Sequence, residues 1–216
     1  MSAPEASAPG LGARGPGPKE QILARVRDAL QGRAPVEAPG PFGSWRPPGP
    51  PAASPPERFA AMLEAAGGEV VRVRDEAGAR DWLAGFAVDF TAAAVGFTVP
   101  TALRPALPQA APDVAPLGVS IARGAIAETG SLLLDARDGR RAQLLPPTHV
   151  VLVRAPDVYA TFRDAMLAVR DDLPSAIGLH SGPSKSADIG HIMVKGVHGP
   201  GRLIAVVIGQ EAASGA

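Results

Sequence analysis

The spacing of apolar residues in this chain alternates between two patterns. Short, continuous apolar runs such as His149–Val153 and Leu203–Ile208 are typical of strands buried on both faces. Other stretches, such as Asp157–Arg170, carry apolar residues at helical spacing. Further helices are predicted at 57–66 and 75–86, and further strands at 69–73, 92–97, 119–122, 131–135, 142–145 and 175–179. Because buried strands alternate with helices, the pattern predicts a layered α/β domain with a mostly parallel sheet.

One antiparallel element is also expected. Asp138 and Gly139 stand between the predicted strands 131–135 and 142–145. An Asp-Gly pair between two strand-like runs is a strong β-hairpin signal, because both residues tolerate the positive φ of a tight turn. The sequence therefore predicts a β-hairpin centred on Asp138-Gly139.

Proline divides the chain into a tail and a domain. Thirteen of the 24 prolines precede residue 57. The divisions predicted from this are a disordered tail (1–18), an amphipathic helix (19–33), a Pro-rich linker (34–56) and an α/β domain (57–210). The apolar stripe of the predicted helix needs a surface to cover, which could be the domain, a second copy of the chain or a partner.

Charge and composition exclude several classes of function. The chain has 21 Lys and Arg against 21 Asp and Glu, so its formal charge is zero, which argues against a general nucleic-acid binder and against attachment to acidic membranes. It has no cysteine for thiolate-bound clusters. No apolar run is long enough to span a membrane, and no signal-peptide pattern opens the chain. We therefore expect a cytoplasmic protein that does not bind membranes.

The first candidate site is the segment of Glu128, Thr129, Gly130 and Ser131, which interrupts an apolar run. A desolvated carboxylate at Glu128 would be suited to acid–base or nucleophilic chemistry, so we consider it the candidate catalytic residue. The neighbouring hydroxyls and the glycine would line a substrate. The alternative is that Glu128 caps a helix or pairs with an arginine.

The second candidate site follows the predicted strand 175–179. Gly182, Ser184, Lys185, Ser186 and Asp188 read as a glycine-containing turn that opens a helix. Free amides at a helix N-terminus, with the charge of Lys185, would bind a small carboxylate or phosphate. The alternative is a capped turn that binds nothing. The two segments can form one binding site only if the fold brings them to the same cavity.

No cofactor or metal is expected. His180, His191 and His198 lie close in sequence, but their spacing matches no familiar ligand set. The chain contains neither the Gly-x-Ser-x-Gly motif of a nucleophile elbow nor a Gly-x-Gly-x-x-Gly motif after a strand.

Three blocks of sequence together resemble the LUD domain family of lactate utilization proteins: AIAETGSLLL, LLPPTHVVLV and GPSKSADIGHIMVKGVHGPGRLIAVVI. The resemblance implies a three-layer α/β/α fold of the NagB/RpiA/CoA-transferase type. It also implies a part in the oxidation of L-lactate to pyruvate, together with iron–sulfur partner proteins. Since this chain lacks cysteine, electron transfer through such a cluster would take place in the partner.

A looser similarity leaves other functions open. Ala127-Glu128-Thr129-Gly130 is similar to the segment that carries the nucleophilic glutamate of class I CoA transferases, with threonine in place of the usual asparagine. The alternatives to a carboxylate-binding component of lactate oxidation are therefore two. One is an isomerase or transferase acting on a phosphorylated or CoA-linked substrate, and the other is a non-enzymatic scaffold subunit.

Overall fold

The computed structural model describes residues 17–33, 54–187 and 193–209. The helices are α1 Pro18–Leu30, α2 Pro55–Ala65, α3 Glu76–Ala87, α4 Arg140–Leu144 and α5 Phe162–Val169. The strands are β1 Glu69–Val73, β2 Ala93–Val95, β3 Leu117–Ile121, β4 Gly124–Ile126, β5 Ser131–Asp135, β6 Thr148–Arg154, β7 Val158–Tyr159, β8 Ile177–His180, β9 Lys185–Ala187, β10 Met193–Lys195 and β11 Arg202–Ile208. The predicted disordered tail and Pro-rich linker fall almost wholly outside the described residues.

Helix α1 belongs to one compact unit and all other elements belong to a second. A proline occupies the first turn of α1, where the absent N–H costs no hydrogen bond. None of its residues is buried, and its apolar stripe is exposed at Ile22, Leu23, Val26 and Leu30. Among the helices of the described ranges, none is long and apolar enough to cross a membrane.

Five parallel strands form the central sheet, in the order β1-β11-β6-β3-β2. The two long strands in its middle pair in register, with Leu203 opposite His149 and Val207 opposite Val153. Every residue from 149 to 153 and from 203 to 208 is buried. Such strands need a covering layer on each face, as the continuous apolar runs predicted.

Two layers cover the central sheet. On one face, Ala79 and Leu83 of α3 pack with Leu103, which lies in a single 3-10 turn. On the other face, Phe59 and Leu63 of α2 pack together with a second sheet, whose strand order is β7-β4-β5-β8. The prediction of a three-layer α/β domain with a mostly parallel sheet is confirmed.

The hairpin predicted at Asp138-Gly139 is wrong. Gly139 does adopt a positive φ of 96°, but the following residues form the short helix α4 instead of a strand. Strand β5 pairs with β4 on one side and with β8 on the other, so both of its edges are occupied. Residues 142–145 therefore have no edge of β5 to pair with, and Gln143 instead donates to the carbonyl of Asp135 across 2.8 Å.

The antiparallel hairpin of this region joins β4 to β5 and turns at Gly130. This glycine has a φ of 65° and lies directly against the backbone of α2. A Cβ at this position would stand 2.6 Å from the carbonyl carbon of Met62 and would also collide with the backbone nitrogen of Leu63. Position 130 thus requires glycine for both conformation and space.

We predict that Gly130→Ala lowers the free energy of unfolding by more than about 2 kcal/mol. The left-handed conformation alone costs about 1–2 kcal/mol with a side chain, and the collision with α2 adds to it. The measurement is urea denaturation followed by circular dichroism.

Gly85→Ala is the matched control, because Gly85 is exposed in α3 and a Cβ there meets nothing within 4 Å. The control should raise the stability by up to about 1 kcal/mol through helix propensity. Equal effects of the two substitutions would contradict the packing described for Gly130.

Candidate functional site

Three hydroxyl groups connect the two segments that the sequence singled out. Thr129 Oγ1 lies 2.6 Å from Ser131 Oγ, which lies 2.6 Å from Ser181 Oγ. The antiparallel pairing of β5 with β8 sets Leu132 opposite His180 and so brings the adjacent residues Ser131 and Ser181 together. We call Thr129, Ser131 and Ser181 the hydroxyl cluster.

The C-terminal end of α2 supports both segments. Gly130 packs on Leu63, as described above, and Gly182 approaches Ala66, where a Cβ would stand 3.0 Å from the carbonyl oxygen. The ammonium group of Lys185 donates a hydrogen bond to the same Ala66 carbonyl. A cation at this position is favourable because the helix dipole places negative charge at the C-terminal end.

The helix predicted to start beyond Gly182 is wrong within the described residues. Lys185, Ser186 and Ala187 form strand β9, which pairs antiparallel with β10. The backbone amides of these residues are therefore in a strand pair, and no helix dipole acts on a ligand there. Of the predicted binding residues, Asp188 lies outside the described residues.

Strands β9 and β10 place two positive charges opposite each other. Lys185 and Lys195 are direct cross-strand partners, so their side chains leave the same face of the pair. Both side chains are exposed. We call β9 and β10 together the lysine ribbon. Ser184 links it to the central sheet, because its N–H donates to the carbonyl of Pro200 across 2.8 Å, just before β11.

Glu128 is half-buried and its carboxylate caps a helix. Oε1 accepts a hydrogen bond of 2.7 Å from the backbone N–H of Phe162, the first residue of α5. A carboxylate in this position satisfies a free amide and interacts favourably with the helix dipole. The contact is the helix-cap alternative considered from the sequence, and a catalytic role for Glu128 stays a prediction.

A buried polar pair was missed by sequence reasoning. His149, which lies at the start of an apolar run, is fully buried on β6, and its Nε2 lies 3.0 Å from Ser120 Oγ on β3. Burial, reinforced by the nearby ring of His180, lowers the pKa of His149 to about 3. The imidazole is therefore neutral at physiological pH. A histidine at the start of an apolar strand is the signal that could have indicated a buried partner.

A second missed feature is a cavity of about 570 Å³. It opens where β2, β3 and β6 end, and we call it the carboxyl-end cavity. Its lining residues are Thr98, Pro100, Ile121, Ala122, Arg123, Asp135, Arg137, Arg154, Asp157, Tyr159, Ala168 and Val169. Ligands of open α/β sheets commonly bind beyond the carboxyl ends of the strands. The residues that directly follow the predicted strands could therefore have indicated this cavity from the sequence.

Titration of His149 should make stability depend on pH. The unfolded imidazole gains a proton below its ordinary pKa of 6.5, whereas the folded imidazole stays neutral down to about 3. The free energy of unfolding should therefore fall as pH falls through this window, by about 2 kcal/mol between pH 6.5 and 5 for this group.

The measurement compares urea denaturation of the wild type, His149→Gln and His198→Gln at both pH values. The exposed His198 is the control, and its variant should keep the wild-type pH dependence. His149→Gln should flatten it. In the wild type, ring-carbon NMR shifts should also show His149 neutral at pH 5, and a protonated ring there would contradict the burial.

Part of the chain is similar to proteins of known families. Residues 113–208 match the family model of the LUD domain. The lactate utilization protein C of Deinococcus radiodurans is 41% identical over 90 residues, which cover 39% of this chain and 42% of that protein. The protein of the same name from Macrococcus caseolyticus is 33% identical over 100 residues, which cover 43% of each chain. The chain thus spans less than half the length of the curated relatives it matches.

A solved structure shares the fold. The crystal structure of a DUF162 family protein from Deinococcus radiodurans superposes with a TM-score of 0.56 at 23% identity. The superposition covers 73% of this chain and 100% of that one. This likeness shows the arrangement of the elements, and the family match adds the sequence relationship. Residues 113–208 of the α/β domain are therefore similar in sequence to the LUD domain.

Proposed function

We propose that this chain takes part in lactate utilization by binding a small carboxylate, L-lactate, beside the lysine ribbon. The names of the relatives support a role in lactate utilization. The binding role rests on the geometry of the two candidate segments, and it extends equally to an inorganic phosphate ion.

The observation that carries the proposal is the pairing of Lys185 with Lys195. Like charges directly opposite each other on a strand pair destabilise it. An anion between the two ammonium groups would remove this repulsion and gain charge-assisted hydrogen bonds. Two of the three lysines of the chain are placed in this way.

The hydroxyl cluster supplies the second half of the site. Ser181 and Gly182 lie at the same end of α2 as the ammonium group of Lys185, because Gly182 and Lys185 both contact Ala66. Lactate carries a carboxylate and a hydroxyl group. In this proposal, the carboxylate pairs with the lysines and the hydroxyl exchanges hydrogen bonds with Ser131, Ser181 or Thr129, each of which can donate or accept.

Glu128 is the proposed proton acceptor for the lactate hydroxyl. It precedes Thr129 of the hydroxyl cluster directly, and the Phe162 amide holds one of its carboxylate oxygens. Oxidation of lactate to pyruvate breaks the O–H and Cα–H bonds and releases two protons and two electrons: Glu128 takes the hydroxyl proton, the Cα proton is released to water, and the electrons need an acceptor. Because the chain has no cysteine to ligate a cluster, we propose that an iron–sulfur partner subunit receives the electrons.

We predict that Lys195→Ala weakens L-lactate binding about tenfold, since a hydrogen bond to a charged group contributes about 1.5–3 kcal/mol. Lys185→Ala should weaken it at least as much, and should also lower stability slightly by removing the interaction with Ala66. The measurement is titration calorimetry, with inorganic phosphate as a second probe.

Lys19→Ala in α1 is the control, because it removes the same charge from the other compact unit. Unchanged affinity in both ribbon variants, or an equal loss in the control, would contradict the proposed site.

The role of the partner is tested by reconstitution. The purified chain with L-lactate and a chemical electron acceptor should be inactive alone and active with an iron–sulfur partner. Glu128→Gln should abolish the reconstituted activity if Glu128 accepts the proton. Full activity of this variant would leave the chain as a binding or scaffold subunit.

A further inference from the structure

The carboxyl-end cavity and the lysine ribbon lie at opposite ends of the strands of the central sheet. The ribbon is tied to Pro200, just before β11 begins, whereas the cavity includes Ile121 at the end of β3 and Arg154 at the end of β6. Because all five strands are parallel, the cavity lies at their carboxyl ends and the ribbon lies at their amino ends. A ligand in the cavity would therefore occupy a site separate from the one proposed above.

A buried carboxylate positions the arginines on one wall of the cavity. Asp135 is 3% exposed, and both of its oxygens accept hydrogen bonds from Arg137, at distances between 2.6 and 3.1 Å. Arg123 Nη1 lies 3.7 Å from the same carboxylate. Burial acts to raise the pKa of Asp135, but the hydrogen bonds from Arg137 and the two positive charges outweigh it and lower the pKa.

Asp172 fixes the same two arginines from the outside. Its carboxylate accepts from Arg123 Nη1 at 2.7 Å and from Arg137 Nη1 at 2.8 Å. These hydrogen bonds hold the pKa of Asp172 well below its usual range. Two guanidinium groups are thus held between two ionised carboxylates, which reduces the conformational entropy that they would lose on binding a ligand.

The lining of the cavity offers further donors. Asp138, itself buried, accepts hydrogen bonds from the backbone N–H and the hydroxyl of Thr98, at 2.9 and 2.8 Å, and so fixes Thr98 on the cavity rim. Burial and the charge of Asp157 raise the pKa of Tyr159, so that its hydroxyl stays protonated at neutral pH. Arg154 engages Glu76 through Nη2 at 2.8 Å.

The remaining hydrogen-bond donors of the cavity favour a ligand that carries an oxyanion. Three arginines and two carboxylates line the cavity, Asp135 is engaged by Arg137, and Asp172 and Glu76 bind the arginines from outside the lining. A guanidinium group has five N–H donors, and the ion pairs of Arg123 and Arg154 to Asp172 and Glu76 each use one terminal nitrogen. These two arginines therefore retain donor capacity toward the cavity.

We propose that the carboxyl-end cavity is a second ligand site, which binds a small organic anion that carries a carboxylate or phosphate group on an apolar body. Arg123 and Arg154 bind the oxyanion, while Pro100, Ile121 and Val169 contact the carbon body. A volume of about 570 Å³ suits a molecule of metabolite size.

The test uses benzoate and phenyl phosphate as probes, with benzyl alcohol as the neutral control. Titrations followed by ¹⁵N NMR should move the amide signals of Thr98, of 121–123 and of Arg154, Ala155 and Asp157. The two probes share a ring and differ in the oxyanion, so their relative affinities identify the preferred head group. The neutral alcohol should bind at least tenfold more weakly than the better anion.

Arg154→Gln should weaken binding of the better probe at least fivefold. The ion pair of Arg154 is half-exposed, so the variant is expected to fold. Arg80→Gln on α3 is the matched control, and it should leave the affinity measured from the cavity amide signals unchanged.

Three results would overturn the proposal: no amide shifts at the cavity at millimolar probe concentrations, equal binding of the neutral alcohol, or unchanged affinity in both Arg154→Gln and Arg123→Gln. A loss of lactate binding in the lysine variants would not bear on it, since those residues lie at the other end of the strands.

Discussion

Strands β6 and β11 lie side by side in the middle of the parallel sheet, and their side chains are removed from water on both faces. Burial of this kind requires one layer on each side, since each unburied aliphatic side chain would forfeit about 1.5–3 kcal/mol. Helix α3 supplies one layer, and α2 with the second sheet supplies the other. The position of both candidate sites follows from this arrangement. Because both faces of the sheet are covered, the loops that carry polar side chains lie at the two ends of the strands.

The central strands were predictable because their signal is local. The runs at 150–153 and 203–208 are apolar without interruption, which is typical of a strand buried on both faces. The Asp138-Gly139 hairpin failed for a nonlocal reason. The turn residue itself behaves as expected, with a positive φ at Gly139, but a hairpin also needs a free strand edge, and the edges of β5 are taken by strands distant in sequence.

The candidate site was predictable only where its signal is local. Glu128–Ser131 and Gly182–Ser186 stood out because they interrupt apolar patterns, and the pairing of β5 with β8 does bring the two segments together. The register that opposes Lys185 to Lys195, however, depends on which strands pair. Likewise, Arg123 and Arg137 meet because Arg123 directly precedes β4, Arg137 follows β5, and these two strands pair antiparallel. The spacing of the two arginines in the sequence does not record that pairing.

The two ends of the central strands respond differently to ionic strength. Dissolved salt screens exposed charges, and it acts much less on partly buried pairs. The arginines and carboxylates of the cavity are joined by hydrogen bonds of 2.6–2.8 Å, and Asp135 is buried, so salt changes their attraction little. The exposed lysines repel each other less as salt rises, so the lysine ribbon gains stability while the cavity and the covered strands stay nearly unchanged.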